Sequence, residues 1–213
     1  MKLYSGPLSL FSAKARIALG EKGLPHDLLQ VGWSRKAAYA PHHPEVLRLN
    51  PKGQVPVLVD GEVVVYDSTL IFEYLEERAP EPRLFPKDLA ERARCRQQEA
   101  AADEIWFPQV WKLIEARVYG TGVAGDAEAA THELHRLYGA FDAALGRGTF
   151  YCGDFSVADV GSFVFAHAAA TLGAPIPARL QHMQAWRERM LERPPVARVM
   201  ADMNEFAAKA LAG

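Results

Sequence analysis

Apolar and polar positions change their period several times in the first part of the chain, and each change marks an element. Lys2-Leu3-Tyr4 is a short strand candidate, broken by Ser5-Gly6-Pro7. From 13 to 22 the spacing is helical, and Gly23 stands where helices commonly end in the left-handed region. Residues 27–31 form a second strand candidate. Two β-branched runs follow, 55–59 and 63–66, with Asp60-Gly61 between them. That dipeptide is a strong hairpin signal, because a type I′ turn needs positive φ at both central residues and Asp-Gly tolerates it. After Tyr66 the period changes again. Leu70, Ile71, Tyr74 and Leu75 recur at helical spacing, with Asp67 or Ser68 placed to cap the first turn.

The order is β-α-β followed by β-β-α, the order of a thioredoxin-like domain, here spanning residues 1–79. Residues 80–88 carry three prolines and read as an interdomain linker. Beyond it the pattern is helical throughout, over roughly 89–119, 127–146, 156–172, 178–192 and 196–211, with Gly or Pro at the breaks. The expected architecture is α/β plus all-α: an N-terminal thioredoxin-like domain followed by an all-helical C-terminal domain over 89–213. In the helical part, Ser156 with Asp159 three residues on is a capping box, so its role is structural. Pro108 falls inside the long helix and predicts a kink. Trp106, Phe107 and Trp111 surround that kink and read either as core packing or as the wall of a cleft.

Composition narrows the class. At 213 residues and 49% hydrophobic content, the chain can bury an ordinary core, as one large domain or two small ones. There are 24 Lys and Arg against 26 Asp and Glu, a formal charge of −2, so no global field draws the chain to nucleic acid or to an anionic membrane. Residues 1–52 are locally basic, which suits either a small polyanionic ligand or dispersed, solvated charge. The chain opens in a strand without an apolar leader, and no apolar run approaches about 18 residues, so a soluble cytoplasmic protein is expected. The cysteines are Cys95 and Cys152 only, spaced neither as a disulfide framework nor as metal ligands. They are expected to be buried small residues, and no metal is expected.

The first strand-to-helix junction carries the candidate chemistry. Thioredoxin-like proteins place Cys-x-x-Cys there, where the helix N-terminus depresses a thiol pKa. This chain has Ser9-Leu-Phe-Ser12. Serine forms no disulfide, so dithiol oxidoreductase chemistry at this position is excluded. What remains is a hydroxyl at a positive helix end, suited to stabilising the thiolate of a bound ligand. A second helix start, at Asp67-Ser68, offers N–H groups to a carboxylate or phosphate, or is an ordinary cap.

The segment 3–19, with Tyr4, Ser9, Ser12, Lys14 and Arg16, resembles the first strand and helix of the serine-using theta and zeta classes of cytosolic glutathione transferases. Asn50-Pro51, Gln54-Val55-Pro56 and Asp67-Ser68 are similar to that family's glutathione-binding segments, in the same order. Gly153-Asp154-Phe155-Ser156 with Asp159 is similar to its capping motif. The resemblance implies glutathione as co-substrate, with Ser9 as the first choice for thiolate donor. Ser12, three residues on, is the second catalytic candidate and by its position reads more readily as an N-cap; backbone N–H groups at the helix start are the remaining alternative. The resemblance further implies backbone contacts from Val55 beside a cis Pro56, with Asp67 and Ser68 at the γ-glutamyl end and Gln54 at the glycyl end. Lys52, His42 and His43 are candidates for the glycyl carboxylate. Phe11, Trp106, Phe107 and Trp111 are expected to line an apolar substrate pocket. Where the zeta pattern continues with serine and cysteine, this chain has Leu10 and Phe11, which argues against an isomerase of that kind.

An unperturbed thiol titrates near 8.5, and a hydrogen bond to a charged group contributes about 1.5–3 kcal/mol, which lowers the pKa by roughly 1–2. The implied activity is conjugation of the thiolate to a small hydrophobic electrophile, or reduction of a hydroperoxide, by a homodimer. The alternative is a glutathione-binding or interaction protein on the same fold without catalysis.

Overall fold

A parallel pair and a hairpin build the sheet in this computed structural model, which describes residues 1–40, 42–146 and 148–211. β1 (Lys2–Ser5) runs parallel to β2 (Asp27–Gln30) and antiparallel to β3 (Val57–Asp60), and β3 pairs with β4 (Val63–Tyr66). The strand order is β2-β1-β3-β4. Parallel neighbours need a crossover, supplied by α1 (Leu10–Glu21).

The hairpin turn sits one residue later than Asp60-Gly61. Asp60 pairs with Val63, which leaves Gly61, at φ 61°, and Glu62 at the centre. Asp60 is held in the strand by α3 (Ser68–Arg78): its Oδ2 accepts from the Tyr74 hydroxyl at 2.8 Å and from Arg78 Nε at 3.2 Å.

Side chains alternate across the sheet. On one face Val31, Val46 and Val57 form a buried cluster with Tyr4, Tyr39, Leu49, Val55 and Tyr66 against it. Val46 comes from α2 (Pro44–Leu49), a helix the periodicity did not predict because six residues are too few to show a 3.6 repeat. Leu3 and Leu58 point the other way and are fully buried, as are Ile17 of α1 and Ile71, Phe72 and Leu75 of α3. Helices α1 and α3 pack on each other. Their C-terminal ends are tied by the buried Lys22, whose Nζ donates to Glu76 Oε2 at 2.7 Å and to the carbonyls of Ala79 and Pro82 at 2.6 and 2.9 Å.

Packing divides the chain into two units: Met1–Arg83 with the residues from Pro194 on, and Leu84–Arg193. The expected second domain ran to the end in chain order, but α9 (Pro194–Leu211) packs on α1. A Cβ on Gly20 would lie 2.7 Å from Pro195 Cβ, so only glycine lets the two helices approach this closely there. Arg16 of α1 also pairs with Asp202 of α9.

The second unit opens with one long helical run. Helix α4 (Leu89–Ala101) widens into a π turn at Ala102–Trp106, continues as α5 (Phe107–Ile114) and ends in a second π turn at Glu115–Tyr119. Pro108 explains the first widening. Its ring would meet a carbonyl one turn back, and it has no N–H to give. In the widened turn Phe107 N–H bonds Ala102 O instead, five residues back. Helices α6 (Asp126–Leu145), α7 (Val157–Thr171) and α8 (Gln181–Glu192) complete the unit. At its centre Phe141 meets Trp106 and Trp186 edge-on at 5.4 and 4.9 Å.

The capping box forms. The fully buried Asp159 accepts from Ser156 N–H, Tyr151 N–H and Trp186 Nε1, at 3.0, 3.0 and 2.9 Å, and from the Ser156 hydroxyl at 3.1 Å. Burial pushes its carboxyl up to about 6, and these donors act against that rise.

Candidate functional site

Register brings the sequence-predicted segments of the first unit to one end of the sheet. Tyr4 pairs with Val57, and Val57 with Tyr66. The chain leaving β1 toward Ser9, the chain entering β3 through Val55, and the chain leaving β4 into Asp67-Ser68 are therefore neighbours.

At the start of α1 the cap falls on Ser9 and not, as expected, on Ser12. Ser9, extended at φ −78° and ψ 114°, is the N-cap, and its Oγ accepts from Ser12 N–H at 3.2 Å. Ser12 is not the cap. It is fully buried, and its Oγ accepts from Gly6 N–H at 3.1 Å, pinning the loop that carries Ser9. The half-buried Ser9 keeps its hydroxyl proton for another acceptor, since a hydroxyl donates once and accepts twice. Phe11, half-buried two residues after Ser9, lies under Lys14 Nζ at 5.5 Å.

The loop before β3 is clamped by Asn50. Its Nδ2 donates to Gln54 O at 2.7 Å, and its Oδ1 accepts from Lys52 N–H at 2.9 Å. Gly53, at φ 64°, donates its N–H to Asn50 O at 2.8 Å. Gln54 is exposed and Val55 half-buried, just outside the ladder. The Val55–Pro56 bond is cis, as the resemblance implied.

Asp67 caps α3 through Oδ1, which accepts from Thr69 N–H at 3.1 Å, and its Oδ2 lies 3.4 Å from Lys52 Nζ. Its backbone stands at φ 76°, a conformation costing a non-glycine residue about 1–3 kcal/mol. Next to it the Ser68 hydroxyl is buried with no hydrogen-bond partner among the described residues, an omission that costs about 1–3 kcal/mol. Two costs thus fall on adjacent residues at the N-terminus of α3.

Of the other candidates, His43 is occupied locally. It caps α2, its Nδ1 accepts from Glu45 N–H at 3.3 Å, and its ring lies 5.6 Å from that of Tyr4. His42 is exposed. In the second unit Trp106 is core, edge-on to Tyr138 and Phe141. Its burial against these rings corrects the expectation of a pocket wall. Phe107 and Trp111 are more open, 6.1 Å apart, with Trp111 41% exposed and Tyr119 6.1 Å beyond it. Asn50 was visible only as part of a motif, and Tyr119 gave no signal. Tyr39, whose hydroxyl accepts from Leu8 N–H at 3.3 Å, was also missed, because its contact to the Gly6–Ser9 loop spans the fold. No group of side chains able to hold a metal ion occurs among the described residues.

A four-stranded thioredoxin-like unit with a serine-capped first helix and a strained acidic cap on the third, joined to a helical unit, defines the class. Residues 3–83 match the family described as "Glutathione S-transferase, N-terminal domain", and residues 99–194 match "Glutathione S-transferase, C-terminal domain". The chain belongs to the glutathione transferase family. It is 31% identical over 197 residues to a stringent starvation protein A homolog of Coxiella burnetii, covering 91% of this chain and 88% of that one. A zeta-class glutathione S-transferase of Euphorbia esula is 43% identical over 93 residues, 44% of this chain and 40% of its own. Among solved structures, a theta-class glutathione S-transferase of Xanthomonas axonopodis pv. citri with glutathione bound superposes with a TM-score of 0.81 at 27% identity, over 92% of this chain and 95% of that one. No helix among the described residues is long and apolar enough to cross a membrane.

Proposed function

We propose that the first unit binds glutathione and that the protein is a glutathione transferase, joining the thiolate to a small hydrophobic electrophile. The carrying observation is the Asp67-Ser68 pair, with its strained backbone and orphaned buried hydroxyl. A γ-glutamyl carboxylate received by Ser68 and the α3 N–H groups satisfies that hydroxyl, and its ammonium lies by Asp67. Val55 contributes backbone bonds to the cysteinyl unit, with Gln54 and Lys52 toward the glycyl end. The thiol then reaches the start of α1, where Ser9 donates to the sulfur and lowers its pKa. Sulfur attacks the electrophile, whose leaving group departs with the displaced electron pair. Phe107 and Trp111 are the aromatic side chains offered to an apolar substrate. A glutathione-bound theta-class relative supports the reading.

A second reading, glutathione binding or partner binding without catalysis, is favoured by one observation. A relative that aligns over 91% of the chain is named for stringent starvation, not for transfer, although glutathione S-transferases of Zea mays align over as much of it. Calorimetry with glutathione tests the shared part. Asp67→Ala with Ser68→Ala should weaken binding by about tenfold or more, since each charge-assisted bond contributes about 1.5–3 kcal/mol. Unchanged affinity refutes the site. Binding without turnover of any aryl halide or hydroperoxide selects the second reading.

A further inference from the structure

The loop that carries Ser9 is held from outside by one side chain. Gly6 N–H donates to Ser12 Oγ at 3.1 Å and Ser9 N–H to Gly6 O at 3.2 Å, bonds that close within residues 6–12 and set the shape of the loop. Pro7 has no N–H to place. Leu8 is different: its N–H donates to the Tyr39 hydroxyl at 3.3 Å, from 31 positions away in the sequence. The same phenol lies against the loop backbone at Gly6, where an added Cβ would stand 2.6 Å from its hydroxyl oxygen and 2.7 Å from the ring carbons behind it. Only glycine at that position lets Tyr39 come so close.

The segment that presents Tyr39 is itself tightly specified. Val31 N–H donates to Ser5 O at 2.9 Å, so the chain leaves β2 beside the end of β1. Trp33 then meets Phe206 of α9 edge-on at 6.0 Å. A turn follows in which Ser34 N–H donates to Ala38 O at 2.9 Å and Ala37 N–H to Ser34 Oγ at 3.2 Å. Ala38 stands at φ 49°, in the left-handed region that a residue with a Cβ rarely adopts. This strained turn delivers the Tyr39 ring onto the buried cluster of Val31, Val46 and Val57. Core filling there needs the ring alone; the hydroxyl adds the bond to the Ser9 loop.

We propose that Tyr39 is a positioning residue for Ser9: through Leu8 N–H its hydroxyl holds the Gly6–Ser9 loop so that the Ser9 hydroxyl aims its proton at the bound thiolate. This role rests on the glutathione transferase reading above, in which Ser9 is the thiolate donor. A hydrogen bond weakens steeply as its angle opens, and a group displaced by about 1 Å loses much of its catalytic effect. Without the Tyr39 hydroxyl the loop keeps its inner bonds and its shape, and Leu8 N–H turns to water. What is lost is the placement of the loop against the sheet.

The test is Tyr39→Phe, which keeps the ring in its cluster, made in the natural chain and in the Ser9→Ala variant. Thiolate absorbance of bound glutathione is titrated against pH, glutathione affinity is measured by calorimetry, and exchange of the Leu8 amide is followed by NMR without ligand. In the natural chain Tyr39→Phe should speed exchange at Leu8 but not at Gly6, and raise the thiol pKa by about 0.5–1 unit, less than loss of Ser9 itself. Glutathione affinity should change much less. With Ser9→Ala already present, Tyr39→Phe should move the titration no further, because a residue that acts through Ser9 then has nothing to position. Gly6→Ala, whose Cβ displaces the phenol, should reproduce the shift seen in the natural chain. An equal shift in both backgrounds overturns the proposal, and so does a titration that Tyr39→Phe leaves unmoved. The transferase reading fails by other signs, in chains that keep Tyr39: no glutathione binding, or a titration that Ser9→Ala leaves in place. The role of Tyr39 would fall with it.

Discussion

A hydroxyl can accept and donate at once, and Ser9 stands where both are useful. Its oxygen caps α1 through Ser12 N–H while its proton remains for a thiolate. Ser9→Ala should therefore cost about 1 kcal/mol of stability as a lost cap and also raise the pKa of bound glutathione by about 1–2 units. Ser12→Ala should behave differently. It leaves the buried Gly6 N–H without its acceptor, which costs about 1–3 kcal/mol, and should move the thiol titration little while Ser9 stays in place. Thiolate absorbance titrated against pH for each variant, beside thermal melts, separates the two. A shift in the Ser12 variant alone would reverse the roles. Both serines were legible as candidates, but not which one caps, because either can precede a helical run and only the tertiary contact to Gly6 decides. The positive φ of Asp67 was likewise invisible, since aspartate is an ordinary cap in most sequences.

Elements with strong periodicity were legible, and those shaped by one residue or by tertiary packing were not. The strands and α3 follow from alternation and capping, whereas the turn at Gly61-Glu62 shifted because Tyr74 and Arg78 hold Asp60 in β3. Pro108 announced a disturbance, and the π turn is how the helix absorbs it without breaking. Helix α7 hides a titratable group that no pattern marked. His167 lies against Phe163 at 5.5 Å, with neither ring nitrogen bonded among the described residues. Burial lowers its pKa below the usual 6.5, and the charge of Arg187 on α8 adds to this. The unfolded chain thus takes up this proton at a higher pH than the folded one. Its contribution is intact above about pH 6.5 and is lost as pH falls toward the folded-state value. His167→Phe should flatten the fall in melting temperature between neutral and mildly acid pH. An unchanged slope would mean that other groups set it.

For the whole molecule, composition spoke to size and charge, and motif order to the family; surface apolarity needed the structure. The first unit leaves Leu70 of α3 55% exposed, with Val63 and Val64 of β4 also open, and the second leaves Leu89 and Ile105 uncovered on its long helical run. A monomer gains nothing from keeping such side chains in water, and a net charge of −2 offers little repulsion between copies. Twofold dimers are the commonest assembly of a soluble chain, and in such a dimer every patch is used twice. A homodimer is therefore expected. Leu70 is the informative position, because an exposed side chain on a stable helix can change without disturbing the core. Leu70→Glu places two charges in the interface, one per copy, and leaves the fold of α3 intact, since glutamate is a good helix former. Sedimentation at micromolar concentration should show a dimer for the natural chain and a monomer, or a mixture shifted strongly toward it, for the variant, with equal helicity. A natural chain that sediments as a monomer would rule out the assembly. A variant that remains fully dimeric would place the interface away from α3.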